Sequence, residues 1–187
     1  MRLHYQQRRS NLAPVLTPKQ ALTNGLLASL SFRLTAAQEK VLAEIFCDLA
    51  MQQPMQRLLQ GDVGSGKTII SALAALRAIE SGYQVAIMAP TEILAEQHYN
   101  RFISWMKPLN IEVAWLSGSQ NKKQRESALA RVATGEAMLA IGTHALFQDP
   151  VMFLQLGLVV IDEQHRFGVA QRLALKHKGD KKSLVPH

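Results

Sequence analysis

From residue 56 onward, short apolar runs alternate with segments of helical length, and no other feature narrows the available folds as much. The runs Arg57–Gln60, Val85–Ala89, Glu112–Leu116, Met138–Ile141 and Leu158–Ile161 read as strands. The segments 67–80, 91–106, 121–133 and 169–177 read as helices. Parallel strands need long crossovers, and crossovers bring helices. The rhythm therefore predicts an α/β fold, a parallel sheet with helices on both faces. Leu158-Val159-Val160-Ile161 is apolar without a break, as expected for a strand buried on both sides. Ligands on such sheets bind beyond the carboxyl ends of the strands.

The region before residue 56 reads differently. Residues 1–16 have weak periodicity. Thr17 reads as a helix N-cap, with Pro18 at the first helical position and Gln20 three residues on, and predicts a helix to about Leu30. Thr35 and Gln38 repeat the device and predict a second helix through Cys47 to about Met51. Cys47, close to Leu42, Ile45, Phe46 and Leu49, reads as a core filler, since a free thiol behaves as a small hydrophobe. The division that follows is an N-terminal helical arm, residues 1–30, before an α/β lobe, residues 31–187.

Composition removes several classes. Apolar residues make up 48% and charged residues 19%, which excludes disorder and collagen-like structure for most of the chain. One cysteine allows neither an internal disulfide nor a cysteine-based zinc site. His98, His144 and His165 lack ligand spacing, so no zinc site is expected. No apolar run reaches the roughly 18 residues that span a bilayer, and the first 30 residues lack an apolar signal core. The expected location is cytoplasmic, with no membrane partner. The net charge of +7 is concentrated at the ends, with +5 over residues 1–38, −2 over 39–171 and +4 over 172–187. Such a balance suits a nucleic-acid partner, or two solvated basic arms flanking a nearly neutral core.

Gly61-Asp62-Val63-Gly64-Ser65-Gly66-Lys67-Thr68 fits G-x-x-x-x-G-K-[ST], between an expected strand and an expected helix. The glycines permit a backbone wrap whose N–H groups converge on an anion, and the helix N-terminus adds partial positive charge. Lys67 can reach the β- and γ-phosphates, and the Thr68 hydroxyl can ligate Mg²⁺. The plainer reading is a glycine-rich turn that only opens a helix. Downstream, Leu158–Ile161 ends in Asp162-Glu163-Gln164-His165. Adjacent carboxylates at a strand end are costly unless a cation or water network uses them. Asp162 suits the Mg²⁺ shell, and Glu163 suits orienting or deprotonating a water. The alternative is an N-cap cluster for the next helix.

Taken in order, Phe32-Arg33-Leu34-Thr35-Ala36-Ala37-Gln38, Gly61–Thr68, Ala89-Pro90-Thr91-Glu92-Ile93-Leu94-Ala95-Glu96-Gln97-His98, Ile141-Gly142-Thr143-His144 and Asp162-Glu163-Gln164-His165-Arg166-Phe167-Gly168 resemble the motifs of superfamily 2 helicases. The likeness is nearest to the RecG family of bacterial DNA helicases. It covers about residues 30–177, and the strings around Thr91 and Asp162 are its specific part.

The resemblance implies a RecA-like P-loop NTPase lobe that uses ATP and Mg²⁺ and acts on branched or forked DNA. It implies that Gln38 reads the adenine edge while Phe32 or Arg33 packs on the ring. The same Gln38 side chain could instead complete the capping box with Thr35. Gln164 and His165 would sense the γ-phosphate, with packing as the alternative for His165. Pro90, Thr91 and Glu92, and Gly142, Thr143 and His144, would contact the DNA backbone without reading sequence. Thr91 also suits a plain N-cap, and His144 a satisfied structural histidine. His98, mid-helix, reads as structural. Phe102, Trp105, Trp115 and Phe147 read as packing residues rather than base platforms. Lys122-Lys123-Gln124-Arg125 reads as a solvated face.

Motors of this kind split ATP between two such lobes, and a wedge domain grips the DNA. The second lobe's arginine finger supplies ~10³–10⁵ in rate. This chain carries one lobe and ends at Pro186-His187, so weak nucleotide binding and very slow hydrolysis are expected of it alone. Three other readings stand beside this one. They are a double-stranded DNA translocase of the transcription-repair coupling type, a P-loop kinase or transport ATPase, and a nucleotide-binding scaffold.

Overall fold

The computed structural model describes residues 12–62, 64–147, 151–163 and 186–187. Val63, Gln164, His165, the helix expected at 169–177 and residues 1–11 of the arm lie outside the described residues.

Four strands form one parallel sheet: β1 (Gln84–Met88), β2 (Glu112–Leu116), β3 (Ala137–Gly142) and β4 (Leu156–Ile161), in the order β2-β3-β1-β4. Register brings the carboxyl ends level, with Met88 opposite both Gly142 and Ile161, and Leu116 opposite Gly142. The alternation along β1 decides the layers. Val85 and Ile87 enter a core shared with Val113, Leu139, Ile141 and Leu158. Ala86 and Met88 enter a second core with Ala114, Leu116 and Ala140. Helices α1 (Ala21–Ser29), α2 (Ala36–Leu49), α3 (Lys67–Glu80) and α4 (Glu92–Met106) build the first layer. Helix α5 (Lys122–Ala133) and a short 3₁₀ turn, His144–Phe147, cover the other face.

Helix α3 is buried from Ile69 to Ile79 because it lies between the sheet and the pair α1 and α2. A largely apolar helix belongs in such a position. Helix α2 opens with the expected capping box: Thr35 Oγ1 accepts from Gln38 N, and Gln38 Oε1 accepts from Thr35 N. The amphipathic helices 67–80, 92–106 and 122–133 and four of the five expected strands form within a residue or two of expectation.

Three expectations fail, each for a physical reason. Thr17 caps nothing: α1 begins at Ala21, whose N–H donates to Glu80 Oε1 at 2.7 Å. The cap comes from a carboxylate 59 residues away in sequence, held at the positive end of the helix. Cys47 is exposed rather than a core filler. The buried stripe of α2 is Leu42, Ile45 and Leu49, and a residue two positions from Ile45 and Leu49 points away from it. Arg57–Gln60 is not a strand. It joins no ladder of the described sheet; the β4 edge is met instead by His187, whose N–H donates to Gly157 O and whose carbonyl accepts from Val159 N. Arg57 is drawn outward by ion pairs with Glu44 and Asp48 of α2, and Leu58 is 59% exposed.

Candidate active site

The phosphate-loop residues collect at the N-terminus of α3. Gly66 takes the N-cap position at φ 85°, a left-handed conformation costly for other residues, and a Cβ there would sit 2.2 Å from Gln38 Nε2. That approach exists because Gln38 Nε2 donates to Ser65 O at 2.9 Å. Gln38 thus serves the capping box and the loop at once. Lys67 Nζ donates to Gly61 O at 2.6 Å and Asp62 O at 2.9 Å, so the ammonium is folded over its own loop. Thr68 is half-buried in the first helical turn. Phe32 is exposed and lines an open apolar cavity of about 400 Å³ with Leu34, Leu42 and Phe46 along α2.

Asp162 and Glu163 follow β4 directly. Asp162 N donates to Met88 O, extending the ladder and fixing the backbone beside the end of β1. Its carboxylate is clasped on both oxygens: His98 Nε2 lies 2.8 Å from Oδ2, and Glu163 N donates to Oδ1 at 3.0 Å. The His98 hydrogen bond is the main reason the Asp162 carboxyl lies below its ordinary value, with the charge of Lys67 contributing in the same direction. Lys67 opens α3 and Asp162 follows β4, and these two elements pack on each other. Glu163 is exposed and sits at φ 48°, a strained conformation for a residue with a side chain.

The carboxyl ends of β1, β2 and β3 lie level with that of β4. Thr91 caps α4, its hydroxyl accepting from Leu94 N at 3.3 Å, and Pro90 is half-buried. Glu92 is exposed but engaged: its Oε1 accepts from Ser117 Oγ at 2.8 Å and from Ser119 N at 3.1 Å, and these bonds hold its carboxyl below the usual range. Glu92 is therefore a brace between two loops. Gly142 is buried, and a Cβ would fall 1.8 Å from Leu116 O, so the residue is fixed by strand contact. Ala89 N donates to Gly142 O, joining the first and third loops. Thr143 is 2% exposed and its hydroxyl has no partner among the described residues, while His144 is exposed.

Two contributors escape a reading of motifs alone. The loop Ser117-Gly118-Ser119 enters through Glu92, and Arg125 Nη1 supports it by donating to Ser117 O at 3.3 Å. His98 enters through Asp162, where a structural role was expected. A signal for it exists in the spacing: Ala95, His98, Phe102 and Met106 share one face of α4, and Ala95, Phe102 and Met106 are buried. Phe102 pairs edge-on with Trp105, and Trp115 packs at a tilt on Tyr99, so these rings are engaged in packing. Lys122, Lys123 and Gln124 are exposed as expected of a solvated face, but Arg125 departs from it, half-buried and bonded to Ser117 O.

A family profile described as DEAD/DEAH box helicase matches residues 35–181, from the capping box through the acids. The chain belongs to this helicase family. It is 57% identical over 175 residues to the ATP-dependent DNA helicase RecG of Escherichia coli O157:H7, covering 94% of this chain and 25% of that protein. Against the protein of the same name from Haemophilus influenzae it is 56% identical over 166 residues, 89% of this chain and 24% of that one. Among solved structures, RecG bound to a three-way DNA junction superposes with a TM-score of 0.86 at 39% identity, over 98% of this chain and 24% of that chain. The UvsW helicase from bacteriophage T4 shares the fold, with a TM-score of 0.59 at 18% identity over 81% of this chain and 53% of that one. The chain thus spans about a quarter of the length of the RecG proteins it matches.

Proposed function

We propose that this helicase-family chain is the ATP-binding motor lobe of a DNA helicase or translocase that couples ATP hydrolysis to remodelling of branched DNA. The observation that supports the reading is the placement of Lys67 in the first turn of α3 and Asp162 at the carboxyl end of β4, two elements packed on each other, beside the braced loops that follow β1, β2 and β3. Residues 31–187 would form the lobe and residues 1–30 a helical arm leading into it. A second RecA-like lobe and a wedge domain of the same protein would complete the motor, as the 25% coverage of RecG allows.

In this reading Lys67 exchanges its carbonyl partners for phosphate oxygens, and Gly61, Asp62, Val63, Gly64, Ser65 and Gly66 wrap the phosphates with backbone N–H groups. Gln38 and Phe32 hold the base. The donors available for a magnesium ion are hard oxygens, as that ion requires: the Thr68 hydroxyl and the Asp162 carboxylate. Asp162 fits the ion because it is kept charged and each of its oxygens retains a lone pair beyond the one already used. When bound, magnesium neutralises charge on the transferring phosphoryl group. Glu163 orients or deprotonates the attacking water, and Gln164 and His165 sense the terminal phosphate. On the DNA side, Thr91, His144 and backbone N–H groups meet phosphates, while Pro90, Glu92, Gly142 and Thr143 hold those loops in place.

Fluorescent mant-ATP binding tests the reading. Lys67→Ala removes a charge-assisted contact and should weaken binding about tenfold to a hundredfold. Forked DNA should bind with an affinity that falls steeply with salt, because the contacts are to phosphate. Unchanged mant-ATP binding by Lys67→Ala would overturn the nucleotide assignment.

A further inference from the structure

The Asp162 carboxylate has a partner that the nucleotide reading gives no task. His98 lies on α4, in the second turn beyond the Thr91 cap, and its side chain is only 17% exposed. Nε2 sits 2.8 Å from Asp162 Oδ2, while the other oxygen is taken by Glu163 N. Two hydrogen bonds on opposite oxygens fix both the rotation of the carboxylate and its plane. Helix α4 is itself anchored, since Glu92 in its first turn is bonded to Ser117 and Ser119. Ala95, Phe102 and Met106 beside His98 are fully buried. The imidazole is therefore presented by a rigid element and not by a mobile surface.

We infer that His98 is a positioning residue for the magnesium-binding carboxylate: it donates from Nε2 to Asp162 Oδ2 and so aims the carboxylate at the metal. The inference rests on the proposed magnesium role of Asp162. Its chemistry needs a donor at the Nε2 position and nothing else of histidine. A glutamine can place an amide N–H in nearly the same spot; an alanine cannot.

The test is mant-ATP binding by this chain, titrated with and without Mg²⁺, in His98→Ala, His98→Gln and Asp162→Asn. His98→Ala should cut the Mg²⁺-dependent gain in affinity about tenfold, as loss of a hydrogen bond to a charged group does. Its Mg²⁺-free binding should equal the unsubstituted chain's, which separates lost positioning from lost folding. His98→Gln should restore most of the gain. A gain left intact by His98→Ala, with Asp162→Asn abolishing it, overturns the role of His98 alone. A gain that survives Asp162→Asn overturns the magnesium reading instead. Loss of Mg²⁺-free binding in His98→Ala and His98→Gln alike would make His98 a packing residue and also overturn the inference.

Discussion

At the scale of single residues, Gln84 has the most complete set of partners. Its amide donates to Val132 O and Ala137 O, and its carbonyl accepts from Leu154 N and Gln155 N. The side chain is 2% exposed and uses its full donor and acceptor capacity on backbone groups of three segments. Gln84→Leu would remove all four bonds, two of them buried, and we expect a loss of about 2–3 kcal/mol, read by urea unfolding. Gly142 makes the opposite demand, for the absence of a side chain. A methyl group there collides with Leu116 O, so Gly142→Ala should cost about 1–3 kcal/mol and disturb the pairing of β2 with β3. Amide exchange along Leu116–Ser117 would show the disturbance locally. Glu92 predicts a dependence on acidity. Its carboxyl is held below the ordinary range, so the brace is fully present above that range. It is lost as pH falls through the lower folded value. Exchange at Ser119 N should rise relative to the rest of the chain on acidification, and Glu92→Gln should remove that pH dependence.

At the scale of elements, the helices and strands recoverable from sequence are those whose signal is local. The Thr35–Gln38 box and the apolar periodicities of α3 and β4 describe interactions within a few residues, and these elements formed where expected. Two of the three failures involve distant partners, while Cys47 is turned outward by the periodicity of its own helix. Helix α1 takes its cap from Glu80, so no reading of Thr17-Pro18 could locate its start. The 57–60 run has strand composition, but a strand exists only beside another, and Arg57 finds carboxylates on α2 instead. The site divides in the same way. The glycine-rich loop and the acid pair are motifs in sequence, whereas His98, Ser117 and Arg125 join the site only through contacts made across it.

At the scale of the whole molecule, His187 ties the β4 edge to the segments before α1 and after α2. Its Nε2–H donates to Pro14 O, its Nδ1 accepts from Met55 N, and burial pushes its pKa down. Both nitrogens are satisfied only in the neutral ring. Unfolded, an ordinary histidine takes up a proton below about pH 6.5, and the folded one resists. Stability should therefore fall as pH drops from the ordinary histidine value toward the lower folded one. Comparing urea midpoints at neutral pH and in that window, His187→Gln should shrink the difference.

Helix α3 carries Lys67 at one end and Glu80 at the other, some 20 Å apart along its axis. One terminus closes the phosphate loop and the other grips the first amide of α1. A load applied to residues 12–30 would therefore run to the glycine-rich loop along one straight helix, entering through the Glu80 hydrogen bond to Ala21.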